Sequence, residues 1–412
     1  MGKRYIGLDV HRLFLMVAAV AGDQTVIAAP RKVAAKDFAS WMHGHLTAED
    51  EVVVEASAGI WELYDQLSEV VGRVVVAHPY HVKLIASSFV KTDKRDALAL
   101  ARLLAANIVP EVWVPAQHVR QLRSLIYHRF CLVRSRATAR NRVRATGHRF
   151  RIPLPEGRAG YDPALWEKVT IPPGERLRLR HDMAQIEFLS AQIKEVEEEL
   201  GRQSLLRPWS EDLPFLIQLP GIGLITGLTI LSAIGEIARF PTAKRLVSYA
   251  GLGTRLHQSG EAERSGGITK QGRAELRYTM VEVAWNAILH SPVWKAEHER
   301  LAARLGRQKA AVAIARKLLV TVWHVLTKHE IDRRGDPSAI TRSIQVWGWK
   351  NRLAVSSGMS GEEFTQMQLG KLGIRLERVV YCSRASDPKR DLRAPAALPR
   401  SSRMSKSLEL AE

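Results

Sequence analysis

The stretch Tyr5-Ile6-Gly7-Leu8-Asp9-Val10 has the composition of a β-strand. Two more strands are predicted over 15–20 and 25–29, joined by a turn at 21–23. The patterns that follow alternate between helix and strand: a helix over 36–46, a strand over 51–55, a helix over 61–71, a strand over 73–77 and a helix over 93–106. This element order is that of a ribonuclease-H-like fold, so we predict an α/β domain over 1–115.

The chain of 412 residues is strongly basic, because 61 Lys and Arg face 42 Asp and Glu to give a net charge of +19. A hydrophobic fraction of 46% argues against wholesale disorder, and the length predicts two or three domains. Cys131 and Cys382 can build neither a disulfide framework nor a cysteine zinc site, which suits a reducing cytoplasm. The charge predicts a polyanionic partner, with nucleic acid as the first candidate.

An uncharged stretch over 213–235 is long enough to cross a membrane. The segment Pro220-Gly221-Ile222-Gly223 divides it, however, and such a segment breaks a helix. We therefore predict a two-helix hairpin and a protein with no membrane partner.

The region 117–151 holds ten arginines and no acidic residue. Arg136, Arg140 and Arg144 are four residues apart and so share one helix face, which we predict to bind nucleic acid; a structural helix face is the alternative. A second helix carries apolar residues seven apart, at Leu179, Ile186, Ile193 and Leu200. Together the two helices predict an antiparallel or intermolecular coiled coil in an Arg-rich linker region, 116–210.

Two further regions complete the predicted organisation. Residues 211–330 form an all-α domain, and 331–412 form a C-terminal extension whose last twenty-five residues are rich in Pro, Arg and Ser and are expected to be disordered. Trp347, Trp349 and Tyr381 suggest packed structure before that tail.

Four acidic residues form the strongest chemical signal. Asp9 lies near the end of the first strand, Glu55 ends the strand over 51–55, and Asp93 and Asp96 open the helix over 93–106. Oxygen ligands suit hard divalent cations such as Mg²⁺, and paired metals of this kind clamp a phosphate that is being cut. The four acids are therefore predicted catalytic residues and ligands of Mg²⁺.

Each acid also has a purely structural interpretation. Asp93 could be the N-cap of its helix with Asp96 in the first turn, Glu55 could cap the next helix, and Asp9 could be a strand-end acid. The coincidence of all four at matching strand ends and a helix start favours the metal site.

Three segments, Gly7-Leu8-Asp9-Val10, Glu55 and the run 91–97 with its two acids, resemble the N-terminal DEDD domain of bacterial insertion-sequence transposases, the family of insertion sequence 110 and its relatives. The resemblance implies a Holliday-junction-resolvase-like metal site at the four acids. The stretch His78-Pro79-Tyr80-His81-Val82-Lys83 stands where the family has an Asn-Pro-x-x-Val-Lys-like segment, with His in place of Asn. As metal ligands, its two histidines lack a third partner at a suitable spacing.

The segment Leu219-Pro220-Gly221-Ile222-Gly223 is predicted to be a helix-hairpin-helix, in which Gly221 and Gly223 let backbone amides approach a phosphate. An ordinary helix–helix turn is the alternative.

Downstream, Gln258-Ser259-Gly260 and then 267–272 resemble the C-terminal transposase domain of the same family. The resemblance implies that Ser259 is a nucleophile that links covalently to DNA; Ser265, close by, is the alternative. Lys270, Arg273 and Arg277 are predicted to neutralise phosphates near the reacting strand, although a solvated basic face would have the same composition.

The resemblance further implies that the acids and the serine form a composite site in a homo-oligomer, a dimer or tetramer. It also implies DNA at element ends and targets, and an element-encoded guide RNA, in the bacterial cytoplasm at the nucleoid. Two other functions fit the same residues. One is a structure-specific, metal-dependent nuclease that uses water, and the other is a catalytically inactive nucleic-acid-binding protein.

Overall fold

A computed structural model describes residues 2–374, apart from 58, 86–91, 156, 158, 260 and 261. Contacts within the chain divide it into two units, one ending at Pro115 and the other beginning at Ala116.

The first unit is a mixed sheet with helices on its two faces. Its elements are β1 (Tyr5–Val10), β2 (Phe14–Val20), β3 (Val26–Ala34), α1 (Phe38–His45), β4 (Glu51–Glu55), α2 (Ile60–Ser68), β5 (Arg73–Ala77), α3 (Pro79–Ile85) and α4 (Asp93–Ala105). The five strands lie in the order β3-β2-β1-β4-β5. The pairs β1–β2 and β2–β3 are antiparallel, and β1–β4 and β4–β5 are parallel. This α/β arrangement is consistent with the predicted ribonuclease-H-like fold.

Apart from the largely exposed edge strand β3, the sheet is buried on both faces. On one face, Leu8 and Val54 pack in a cluster with Phe38 of α1 and Leu67 of α2. On the other, Leu100 of α4 packs among residues of β4 and β5. Strands covered on both sides are continuous apolar runs, which explains why β4 and β5 were predicted at their observed bounds.

The second unit is mostly helical. Its elements are α5 (Gln117–Arg149), α6 (Pro163–Glu167), α7 (Pro173–Gln203), α8 (Trp209–Ile217), α9 (Leu224–Ile234), α10 (Ala243–Tyr249), β6 (Thr254–Ser259), β7 (Ala262–Ile268), α11 (Ala274–His290), α12 (Pro292–Leu305), α13 (Arg307–Lys328), α14 (Pro337–Lys350), α15 (Leu353–Ser356) and α16 (Gly361–Lys371).

The prediction that this C-terminal region is all-α is wrong at one place. Strands β6 and β7 pair as an antiparallel ribbon, with Ser259 opposite Ala262 and Leu256 opposite Ser265. The sequence shows no apolar alternation there, because a two-stranded ribbon depends on backbone hydrogen bonds rather than on a buried face.

Helices α5 and α7 run antiparallel within the chain, as their ion pairs show. Arg142 Nη2 lies 2.6 Å from Asp182 Oδ1, and Arg149 Nη2, further along α5, lies 2.8 Å from Glu175 Oε2, earlier in α7. The residues predicted from the seven-residue spacing are buried: Leu179, Ile186, Ile193 and Leu200. The antiparallel alternative thus describes this helix pair, and the supercoil itself stays a prediction.

The apolar stretch over 213–235 is divided as predicted, since α8 ends at Ile217 and α9 begins at Leu224. Another helix, α13, is long and apolar enough to cross a membrane by length and composition. Half of its apolar window is buried inside the protein, as in a core helix, and α11 and α12 pack against it.

The extension beyond residue 331 contains packed helices. The rings of Trp347 in α14 and Phe364 in α16 meet edge to face with centroids 5.3 Å apart, whereas Trp349 is exposed. Tyr381 and the tail predicted to be disordered lie outside the described residues.

Candidate active site

Two of the predicted acids stand at the carboxyl edge of the parallel strands. The β1–β4 register pairs Leu8 with Val54, so the next residues are Asp9 and Glu55. Glu55 is in turn level with Ala77, the last residue of β5. Parallel strands thereby bring the two carboxylates to one edge of the sheet, half-buried.

The other two acids begin α4, and their structural interpretation fails in part. The N-cap of α4 is Thr92, whose hydroxyl accepts a hydrogen bond from the Arg95 N–H, so Asp93 is not the cap. The interpretation of Glu55 as the cap of the next helix is also wrong, because the N-cap of α2 is Gly59, with no side-chain cap. Neither acid is therefore explained by helix capping.

Asp9 and Asp93 meet at a histidine. His11 Nε2 lies 3.0 Å from Asp9 Oδ2 and 3.5 Å from Asp93 Oδ2. One ligand atom from each of the three residues lies within 4.8 Å of the others. The sequence analysis did not identify His11 as a site residue. The available signal was its position two residues after Asp9, because such residues in an extended chain point to the same side.

Burial is the main influence on Asp9. It raises the pKa of the Asp9 carboxyl above its ordinary value, while His11 opposes the rise and the negative charges of Asp93 and Asp96 add to it. Asp96 is therefore close enough to act on Asp9 electrostatically. Because a desolvated carboxylate beside other carboxylates is unfavourable as an anion, the site favours a bound cation.

The donor set fits a divalent metal. Asp9 and Asp93 offer the oxygen atoms that Mg²⁺ prefers, and His11 adds a nitrogen at the same point. Glu55 follows Val54 as Asp9 follows Leu8 in the β1–β4 register, and Asp96 acts electrostatically on Asp9. Among the described residues, the group that could hold a metal includes neither His78 nor His81, whose ring centroids are 4.6 Å apart.

Ser259 is the last residue of β6, at the end of the ribbon, and Ser265 lies within β7. The base of the ribbon is held by backbone hydrogen bonds from Thr269 N–H to the Gly253 carbonyl at 2.8 Å and from Arg273 N–H to the Tyr249 carbonyl at 2.8 Å. Ser259 thus belongs to the second unit, whereas the acids belong to the first.

The predicted phosphate-binding residues near the ribbon differ in their surroundings. Lys270 is exposed. Arg273 Nε lies 3.5 Å from Glu275 Oε2. Arg277 Nη1 donates to the Ala250 carbonyl at 3.1 Å, and burial lowers the pKa of its guanidinium. Arg277 is therefore already engaged by the protein backbone.

The glycine turn between α8 and α9 has a structural explanation for one of its glycines. Gly221 has φ +85°, and a Cβ there would lie 2.7 Å from the Val283 carbonyl oxygen of α11. Gly223 is exposed and is the N-cap of α9; its N–H donates to Thr226 Oγ1 at 2.8 Å. Gly221 is thus required by packing, as in an ordinary turn, and a phosphate role for either glycine stays a prediction.

The three predicted arginines of α5 are brought together. Arg136, Arg140 and Arg144 line one pocket of about 200 Å³. Arg140 and Arg144 lie over the Tyr161 ring at 5.3 and 5.8 Å from its centroid. Arg142 and Arg149 of the same helix form ion pairs with α7. Arg136 also contacts α7, because its Nη1 donates to Ser190 Oγ at 3.3 Å.

Comparison with known proteins agrees with this geometry. Residues 6–146 match the DEDD transposase domain model of the IS110 type, and residues 214–299 match the model described as transposase IS116/IS110/IS902 family.

Three relatives are similar over most of the chain. The transposase for insertion sequence element IS1111A of Coxiella burnetii is 28% identical over 69% of this chain and 79% of its own. A probable family 20 transposase of Pseudomonas aeruginosa is 28% identical over 81% of this chain and its full length. The pilin gene-inverting protein of Moraxella bovis is 25% identical over 81% of this chain and 99% of its own. The chain belongs to the IS116/IS110/IS902 family of transposases and is a DNA transposase or recombinase.

Proposed function

We propose that this enzyme excises and inserts a bacterial insertion sequence by metal-assisted attack of Ser259 on DNA phosphodiesters. The observation that carries the proposal is the meeting of Asp9, His11 and Asp93 at the edge of the sheet. A pair of divalent cations held by the four acids would neutralise the phosphate oxygens at the reacting phosphorus.

The acids themselves hold the metals and fix where the phosphate binds. Asp9 comes from β1, Glu55 from β4, and Asp93 and Asp96 from the first turn of α4, so three rigid elements define the site. The elevated pKa of Asp9 supports this role, because a cation would reverse the unfavourable effect of burial on that carboxylate.

In the proposed step, Ser259 Oγ forms a bond to phosphorus and the bond from phosphorus to the leaving sugar oxygen breaks. The proton of the serine hydroxyl passes to solvent, and the leaving oxygen takes up a proton. The phosphoserine bond conserves the energy for rejoining. The position of Ser259 at the end of the β6–β7 ribbon supports its delivery to a phosphate. Ser265, within β7, is the alternative nucleophile.

Nucleic acid binds at several basic surfaces in this proposal. The pocket of Arg136, Arg140 and Arg144 takes phosphates of an element-encoded guide RNA, while Lys270 and Arg273 face the DNA near the reacting strand, together with the turn at Gly221 and Gly223. Base pairing sets the sequence, and the protein contacts the backbone.

The proposed organisation assigns 116–210 to a linker with coiled-coil character, 211–330 to the transposase domain and 331–412 to an extension. The acids and the serine work together in a homo-oligomer, a dimer or tetramer. Because it acts on DNA, we propose that this enzyme works in the bacterial cytoplasm, at the nucleoid.

A plasmid excision assay tests the proposal against its alternatives. Wild-type protein, supplied with the element and its flanking RNA-coding sequence, should excise the element, and Asp9→Asn and Ser259→Ala should not. Retained cleavage in Ser259→Ala would favour a nuclease that uses water. Tight, salt-dependent binding with no strand breakage in any metal would favour the inactive binding protein.

A further inference from the structure

A groove of about 510 Å³ runs along the side of α4. It is lined chiefly by one stripe of that helix, together with the β2–β3 turn and the segment after α4; its main lining residues are Gln24, Arg95, Leu98, Arg102, Leu103 and Ile108. None of the described residues that line it is acidic.

The groove combines two arginines with apolar surface. Arg95 and Arg102 are exposed and stand seven residues apart, which places them on the same face of α4 about 10 Å apart along its axis. Between and beside them the surface is apolar, and Ile108 remains 53% exposed at its far end. Cations that flank an apolar surface suit a strand with charged phosphates and uncovered bases.

The groove begins at the end of α4 that carries the acids, on a different side of the helix. Arg95 directly precedes Asp96, and both belong to the first turn of α4 with Asp93. A strand whose phosphate is held at the acids would therefore reach the groove by passing around the first turn of α4.

We propose that this groove binds the unpaired nucleic-acid strand on one side of the reacting phosphate, with Arg102 holding a phosphate and Ile108 contacting a base or sugar. The inference rests on the proposed function, and it adds a subsite for a single strand to it. A duplex covers its bases by stacking and pairing, so the apolar part of the groove selects an unpaired segment.

The test compares two DNA ligands that differ only in pairing, a blunt duplex and the same duplex with a single-stranded extension, bound to the full chain in EDTA. The measured quantity is the ratio of the two dissociation constants, because the many other basic residues affect both ligands alike. Wild-type protein should prefer the forked ligand, and Arg102→Glu should reduce that preference about tenfold. Arg102→Lys should retain most of it.

A matched charge reversal serves as the control. Lys36→Glu changes the charge of the same unit by the same amount at an exposed residue outside the groove, and it should weaken both ligands equally. Repeating the measurement with a single-stranded RNA extension in place of the DNA extension shows whether the groove prefers RNA or DNA. If Arg102→Glu has a lower Tm than Lys36→Glu, its loss of preference could come from misfolding. Ile108→Ala, which leaves the charge intact, should then still lower the preference for the forked ligand.

An unchanged ratio in both Arg102→Glu and Ile108→Ala would overturn the groove proposal. This binding assay contains no metal and no cleavage step. If the groove variants lose the fork preference and the wild type is inactive in the excision assay, the groove proposal stands and the proposed function is rejected.

Discussion

Gly7 in β1 and Ala97 in α4 approach so closely that a Cβ at Gly7 would lie 2.0 Å from the Ala97 carbonyl oxygen. The missing side chain lets α4 lie directly on the strand that carries Asp9, with Asp93 one turn before the contact. A glycine in the middle of the central strand thus sets the spacing between the acids from β1 and α4.

Gly7→Ala should force α4 away from β1. We expect a loss of about 1–3 kcal/mol in the free energy of unfolding, as for other overpacked cores, and weaker metal binding because Asp93 and Asp96 move with the helix. Chemical denaturation and metal titration measure the two effects. Gly44→Ala in α1 is the control, since a Cβ there meets nothing within 4 Å. Equal stability of the two variants would contradict the packing argument.

Divalent metal should stabilise the protein through the carboxylates. At a Mg²⁺ or Mn²⁺ concentration about ten times Kd, Tm should rise by about 2–4 °C in wild type. Asp9→Asn and Asp93→Asn should remove this rise, whereas Asp37→Asn, which changes an exposed acid without a capping bond, should retain it. A metal-induced rise that survives both site variants would place the metal elsewhere.

Two arginines of α5 are expected to have different roles, one in the stability of the fold and the other in RNA binding. Arg123 donates to the Ser232 and Ala233 carbonyls at the end of α9, at 2.7 and 3.2 Å, and burial lowers its pKa to about 10. Arg123→Ala should therefore cost about 1–3 kcal/mol of stability.

Arg144 is exposed, so Arg144→Ala should leave Tm unchanged, weaken RNA binding and reduce the salt dependence of that binding. Melting curves and binding at several salt concentrations test the pair. If Arg123→Ala is as stable as wild type, or Arg144→Ala binds RNA with wild-type affinity, these two roles are wrong.

The helices α12 and α13 are linked by a pH-sensitive contact. Glu297 accepts hydrogen bonds from Arg300 and from Lys317, which lower the pKa of its carboxyl to about 2. Because the folded pKa lies below the ordinary one, the stabilisation is present above that ordinary value and is lost as pH falls towards the folded pKa.

Glu297→Gln should lower Tm at neutral pH, and the difference from wild type should shrink as the solution is acidified through pH 4.5 towards pH 2. Glu299→Gln, an exposed acid on the same helix, is the reference. A difference that stays constant over this range would show that the charge of Glu297 does not stabilise the fold.

Much of the first unit could be predicted from the sequence. The strands β1, β4 and β5 are short apolar runs bounded by polar residues, so their bounds and the positions of Asp9 and Glu55 at their ends followed directly. The helix α4 was predicted from its alanine and leucine content, and Asp93 and Asp96 from its first turn.

Other features depend on contacts that no local pattern encodes. His11 meets Asp93 only because α4 lies against β1, and the ribbon β6–β7 forms without apolar alternation. The role of Arg123 was hidden among ten similar arginines, since its partners are carbonyls more than one hundred residues away.

The covalent link between protein and DNA is the most direct test of the central claim. Full-length protein with Mg²⁺, co-purifying RNA and labelled DNA carrying an element end should give an adduct that survives denaturing detergent. The adduct should be absent in Ser259→Ala and Asp9→Asn and present in Ser265→Ala. Strand cleavage by the wild type without any adduct, or an adduct that persists in Ser259→Ala, would contradict the proposed serine mechanism.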